Sequence, residues 1–209
     1  LIFPSKPALA VPIGGGNIPD PTKADKRTFE GRNDTLETRF PGSRLNINAS
    51  LVRASSDSDA ALIKIDSPQA LSTVELASHD AVTVGEKVVV LGYPAVSVST
   101  FQQQSTQEGG GPVRRHFEEI PEATITDGIV SKLSPGVQQK DGVTTYSTTG
   151  DVIQLSITAT GAGNSGGPVF DATGKVIGLF TYSKSRGNER VTLAVPIKYG
   201  RDLLRPQRE

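Results

Sequence analysis

The chain has 209 residues, 35% of them hydrophobic, and its 22 basic side chains balance 22 acidic ones. A formal net charge of zero carries no electrostatic footprint for a polyanion, so nucleic acid is not indicated as a partner. No apolar run reaches the ~20 residues of a membrane-spanning helix, and no signal peptide is recognisable, so no membrane contact is indicated. There is no cysteine. That rules out a disulfide framework while fitting any redox compartment.

Taken in chain order, the pattern predicts short strands separated by glycine- and proline-rich turns. Ile13–Lys26 reads as a loop with three successive glycines. Thr35–Phe40 and Leu45–Arg53 are strand candidates; Leu45, Ile47, Ala49 and Leu51 alternate with mostly polar residues, as in a half-buried strand. Ala61–Ile65 and Lys87–Leu91 follow. Residues 97–123, with four glutamines, three glycines and mixed charge, read as a surface loop, either a solvated linker or a gating segment. Then come Thr124–Leu133, Val152–Ile157, Pro168–Phe170, Lys175–Tyr182 and Val191–Val195. Asp171-Ala172-Thr173-Gly174 makes a hairpin turn between two of these. A single short helix is predicted over Ile197–Leu204. The fold class is therefore all-β, a barrel or sandwich.

The run Gly161–Phe170 reads G-A-G-N-S-G-G-P-V-F. Glycines around Ser165 let the backbone turn sharply and let a substrate come close. Such a turn can aim two N–H groups at one point, the parts of an oxyanion hole beside a nucleophile. A glycine-rich turn with an incidental serine is the plainer alternative.

This run, followed by G-K-V-I-G-L-F-T and A-V-P-I, resembles the C-terminal barrel of trypsin-like serine peptidases, specifically their disulfide-free bacterial HtrA-like branch. Asp59-Ala60-Ala61-Leu62-Ile63-Lys64-Ile65 is similar to the D-L-A-L-L-K-I segment of that family, and Thr126–Ser131 to its T-x-G-I-V-S strand. These matches run from about Asn33 to Leu204, while Leu1–Arg32 match no pattern. The resemblance implies two six-stranded antiparallel barrels, the first incomplete in this chain. Residues 1–95 would be the remainder of the first barrel with a long N-terminal loop, 96–123 an inter-barrel loop, and 124–209 the second barrel with its helix.

It also implies roles. Ser165 would be the nucleophile and Asp59 the carboxylate orienting a histidine base. The N–H groups of Gly163 and Ser165 would hold the oxyanion. Ala159, six residues before the serine, would floor the specificity pocket. Thr181, Tyr182 and Ser183 would pair with substrate backbone, and Thr181 could donate to Asp59. Asp59 has a plainer reading as an exposed turn acid, Ala159 as a packing residue, and Thr181 and Tyr182 as ordinary strand residues. Asn164 stands where zymogen-type relatives carry an aspartate, which implies no activation by N-terminal insertion. No metal or other cofactor is implied.

The family order is His, Asp, Ser, yet both histidines, His79 and His116, follow Asp59 and read as surface residues. The family's histidine-bearing strand pattern is missing, and position 1 is not methionine. The expectation is a chain lacking an N-terminal piece that carries the base. The functional reading is a serine endopeptidase acting on polypeptide, outside the cytoplasm. A non-catalytic peptide-binding relative and a structural β-domain of an envelope protein are the alternatives. Oligomeric state is not legible.

Overall fold

The computed structural model describes residues 36–40, 46–78, 81–95, 97–98, 100–107, 113–120, 122–146, 150–157, 162–186 and 189–206. Three strands come first: β1 (Glu37–Arg39), β2 (Asn46–Ala54) and β3 (Ala61–Ile65). They form an open antiparallel sheet in the order β1-β2-β3. The alternation in β2 leaves Ile47 and Ala49 half-buried, but Leu51 and, on β3, Ile63 are exposed.

The chain then runs through β4 (Lys87–Gly92), β5 (Thr100–Thr106), β6 (Arg114–Ile120), β7 (Thr124–Ser134), β8 (Val137–Lys140) and β9 (Val143–Tyr146). It finishes with β10 (Val152–Ile157), β11 (Pro168–Asp171), β12 (Val176–Arg186), β13 (Glu189–Pro196) and helix α1 (Ile197–Leu204). Six of these strands close an antiparallel barrel in the order β10-β13-β12-β11-β4-β7. Closure leaves the barrel no edge to protect.

Period-2 patterning explains the barrel interior. In β4, Val88 and Val90 point inward while Lys87 points out. They meet Val130, Ile153, Leu155, Val169, Ile177, Phe180 and Ala194 in one core. Each large aliphatic side chain so buried contributes about 1.5–3 kcal/mol. The Asp171–Gly174 turn forms as its sequence predicts. The Asp171 carboxylate accepts from Thr173 N (2.8 Å), Thr173 Oγ1 (2.7 Å) and Lys175 N (3.0 Å), and Gly174 has φ 82°. Partial burial works against ionisation of Asp171, but these hydrogen bonds and the Lys175 charge prevail and hold its pKa below the usual value.

Two expectations are corrected, and one hairpin is added to them. β4, assigned to residues 1–95 and the first barrel, is a stave of the closed barrel, paired with β7 and β11. Its valines fit the barrel core, whereas β3 offers no comparable buried face. The stretch 96–123 is not simply a loop, because β5 and β6 pair as a two-stranded ribbon. T-F-Q-Q-Q-S-T and R-R-H-F-E-E-I favour strands through their aromatic and β-branched residues. Both faces are solvated, so no apolar alternation announces them. The β8–β9 hairpin was also missed, although Asp141-Gly142 (φ 51° and 75°) is the two-residue turn such hairpins favour.

Helix α1 packs against β3, β12 and β13 and ties the open sheet to the barrel. Arg201 Nη1 donates to Ala77 O (3.1 Å), and Arg53 Nη1 on β2 donates to Arg205 O (2.9 Å) just past the helix. Lys198 pairs with Asp151, which also accepts from Tyr199 OH (3.2 Å). Burial, reinforced by the Asp151 charge and hydrogen bond, pushes the Tyr199 pKa up to about 12.

Candidate active site

The serine sits on a turn between β10 and β11, held by backbone bonds on two sides. On one side, Tyr93 N donates to Gly163 O (3.4 Å) and Ala95 N to Ala162 O (2.8 Å). On the other, Gly166 N donates to Phe180 O (2.7 Å) and Phe180 N to Gly167 O (2.8 Å). Gly163 (φ 99°) and Gly166 (φ 83°) take conformations that other residues rarely adopt. At Gly163 a Cβ would also meet Tyr93 O at 2.0 Å. The glycine pattern is therefore what lets the turn lie flat on the end of β4.

Asn164, next to the serine, is 1% exposed. Its side chain lies against Gly92, where an added Cβ would meet Asn164 Oδ1 at 2.2 Å. Neither Nδ2 nor Oδ1 has a hydrogen-bond partner among the described residues. Ser165 is half-buried. Its Oγ donates to Thr181 O (2.9 Å). The N–H groups of Gly163 and Ser165 donate to no acceptor among the described residues.

Asp59 arrives from the open sheet. Ser55 Oγ accepts from Asp57 N and Ser58 N (both 3.2 Å), and Ser55 N donates to Ala60 O (2.8 Å). These bonds close a tight turn immediately before β3. Asp59 is exposed at that turn, as its plainer reading holds, yet it also reaches across to the barrel. Thr181 Oγ1 donates to Asp59 Oδ2 at 2.6 Å, a short charge-assisted bond over 122 residues of sequence. Asp57, two residues earlier, is also exposed on the turn.

A β-bulge makes this contact possible. Phe180 pairs with Ala194 and Tyr182 with Leu193, so Thr181 is the extra residue on β12. Bulges re-aim side chains, and here both the Thr181 carbonyl and its hydroxyl turn toward the site. Sequence reasoning foresaw the Thr181–Asp59 bond but had no signal for the bulge.

Ser165, Asp59 and Gly163 line one cleft of about 620 Å³ between the open sheet and the barrel, with Glu37, Tyr93 and Phe180 among its other walls. Tyr182 and Ser183 lie outside the cleft lining. They continue β12 beyond Leu179, the last residue to pair with Pro168 of β11. Ser183 Oγ is 3.2 Å from Thr192 Oγ1 on β13. Ala159 and His79 lie outside the described residues. His116 is exposed on β6, and no histidine is among the described residues that line the cleft. Among the described residues, no cluster of three or more His, Asp or Glu could hold a metal ion.

A serine on a glycine turn of a closed antiparallel barrel is thus linked through a strand residue to a carboxylate from a neighbouring sheet. A family model described as trypsin-like peptidase domain matches residues 22–179, and the chain belongs to that family. The match begins upstream of Asn33, so the family reaches further into the N-terminal segment than its legible motifs do.

The chain is 29% identical over 160 residues to a probable periplasmic serine endoprotease, DegP-like, of Rhizobium meliloti, covering 76% of this chain and 25% of that protein. It is 31% identical over 152 residues to the protein of the same name from Bartonella henselae, covering 72% and 24%. The chain thus spans about a quarter of the length of these relatives. Among solved structures it is similar to an HtrA-type protease, AlgW, with decapeptide: TM-score 0.52 and 26% identity, over 77% of this chain and 40% of the other.

Proposed function

We propose that the protein is a serine endopeptidase in which Ser165 attacks the peptide carbonyl and Asp59 orients and charges the base. The observation that carries this reading is the bridge through Thr181, whose carbonyl receives the Ser165 hydroxyl and whose hydroxyl holds Asp59. It joins a nucleophile and an acid from two sheets at one cleft.

The chemistry then follows from the groups present. A serine hydroxyl needs a base near pH 7 to accept its proton, and imidazole serves. The reading requires a histidine contributed from outside the described residues. With its proton removed, Ser165 Oγ adds to the carbonyl, and the N–H groups of Gly163 and Ser165 receive the oxyanion. The imidazolium returns its proton to the leaving amine, and water completes hydrolysis. Thr181, Tyr182 and Ser183 pair with the substrate backbone where β12 runs past β11.

Ala159 sets the pocket. It brings no charge, and no Asp or Glu occurs between Val152 and Phe170. An unpaired lysine or arginine head buried there would cost several kcal/mol, whereas an aliphatic side chain gains about 1–3 kcal/mol. Cleavage therefore follows Ala, Val or Leu. The periplasmic names of the relatives support a location outside the cytoplasm. The decapeptide of AlgW supports a polypeptide ligand.

The test is fluorophosphonate labelling of the protein, with cleavage-site mapping on an unfolded substrate. Labelling at Ser165, lost in Ser165→Ala, is the expected result, and a majority of cuts after basic residues sinks the pocket assignment. The lack of a histidine among the described cleft residues favours one second reading, a domain that binds peptide strands without cutting them. Peptide binding with no labelling at Ser165 selects it.

A further inference from the structure

We propose that the β5–β6 ribbon is a self-association surface, on which β6 pairs antiparallel with β6 of a second copy of this chain. The ribbon is a two-stranded sheet, and among the described residues β6 pairs with β5 alone. The register sets Phe101 opposite Glu119, Gln103 opposite Phe117 and Ser105 opposite Arg115. Directly opposed residues share a face, as do every second residue along a strand. Phe101 and Phe117 therefore lie diagonally on one face, each 60% exposed. Isolated two-stranded ribbons are marginal in water, and a strand edge with apolar neighbours is a template for another strand.

The order of charges along β6 says which strand fits. It reads Arg114-Arg115-His116-Phe117-Glu118-Glu119, basic before the phenylalanine and acidic after it. Two copies joined edge to edge by a two-fold axis normal to the ribbon run antiparallel, and like faces stay together. With that axis at Phe117, Phe117 meets itself, and Arg115 of each copy stands opposite Glu119 of the other. The neighbouring choices are poorer. An axis at His116 keeps an Arg114–Glu118 pair but sets Arg115 against Phe117 and parts the two phenylalanines, and one at Glu118 sets two glutamates against each other. A parallel pairing in register stacks like charge on like throughout. Only the Phe117 register joins opposite charges and like aromatic residues at once, and its product is a four-stranded sheet with an aromatic centre and two cross-strand ion pairs.

The chain contains no cysteine, so an introduced one is its only thiol. Across an antiparallel pair the Cα atoms of residue 117 and its copy would be about 4.5–5.5 Å apart, within disulfide range. Residue 103 and its copy would be three strand spacings, about 14 Å, apart and out of range. Under diamide, Phe117→Cys is expected to give covalent dimer at least about tenfold faster than Gln103→Cys. Adding Arg115→Glu to Phe117→Cys should slow it by about tenfold or more, and adding Glu119→Arg as well should restore it. Because the restored variant carries every substitution of the slowed one, misfolding cannot mimic this pattern. Equal rates for Phe117→Cys and Gln103→Cys overturn the proposal. So does indifference to charge reversal, or a wild-type ribbon that binds an unrelated peptide while the protein sediments without self-association up to millimolar concentration.

Discussion

Replacing Gly163 with alanine tests what holds the serine turn in place, and Gly166→Ala supplies its internal comparison. Both glycines have positive φ, 99° and 83°, so each substitution carries backbone strain of about 1 kcal/mol. At Gly166 nothing lies within 4 Å of the added Cβ, and strain is the whole cost. At Gly163 the Cβ would stand 2.0 Å from Tyr93 O, a backbone atom that cannot rotate away. The turn must therefore lift off the end of β4 and give up the bonds Tyr93 N to Gly163 O and Ala95 N to Ala162 O. Two backbone bonds at about 0.5–1.5 kcal/mol each bring the Gly163→Ala cost to roughly 2–4 kcal/mol. For a domain of this size about 1 kcal/mol moves the melting temperature by 2–4 °C. Thermal melts should then fall by about 4–16 °C for Gly163→Ala and 2–4 °C for Gly166→Ala. The Ala95 amide should also exchange hydrogen faster only in the first. Equal melting shifts, or unchanged protection at Ala95, would refute the account of how the turn is seated.

Thr181→Val keeps the β-branched shape but removes the hydroxyl that holds Asp59. A hydrogen bond to a charged group is worth about 1.5–3 kcal/mol, and the exposure of Asp59 favours the lower end. Peptidase kcat/KM should fall about tenfold with KM nearly constant, and Thr181→Ser should recover most of it. Asn164→Asp would place a carboxylate where neither side-chain polar atom has a partner among the described residues. Stability should match wild type near pH 3 and fall by several kcal/mol as pH rises through about 4, where the unfolded chain ionises first, as denaturant melts across that range will show. Tyr199, raised to about 12, stays neutral in the folded protein while the unfolded tyrosine ionises near 10. Stability should therefore decline between pH 10 and 12, and Tyr199→Phe should flatten that window in alkaline melts.

Where one face of a strand is buried, the sequence announces it. The Lys87–Leu91 and Val152–Ile157 strands, the Asp171 turn and the Ile197–Leu204 helix all carry apolar periodicity or turn chemistry, and all form within a residue or two of their predicted bounds. The β5–β6 ribbon was hidden because solvent wets both faces and no alternation arises. The assignment of β4 to the wrong barrel has a different cause, since alternation shows that a strand is half-buried but not which neighbours receive it. At the site, the Thr181–Asp59 hydrogen bond was legible from the family resemblance. The bulge that aims Thr181 was not, because a one-residue slip between β12 and β13 leaves no mark on composition or period.

Ser165 belongs to a closed barrel and Asp59 to an open three-stranded sheet, joined by Thr181, by α1 and by the Arg53–Arg205 bond. On the proposed function, catalytic competence is then a property of docking rather than of either unit. Most of the buried core lies inside the barrel, so the sheet can open at a lower free energy than the barrel unfolds. On heating, hydrolysis should vanish while the barrel's far-UV signal is still native. The cleft in this way doubles as a clasp whose opening silences the serine without any change in the turn that carries it.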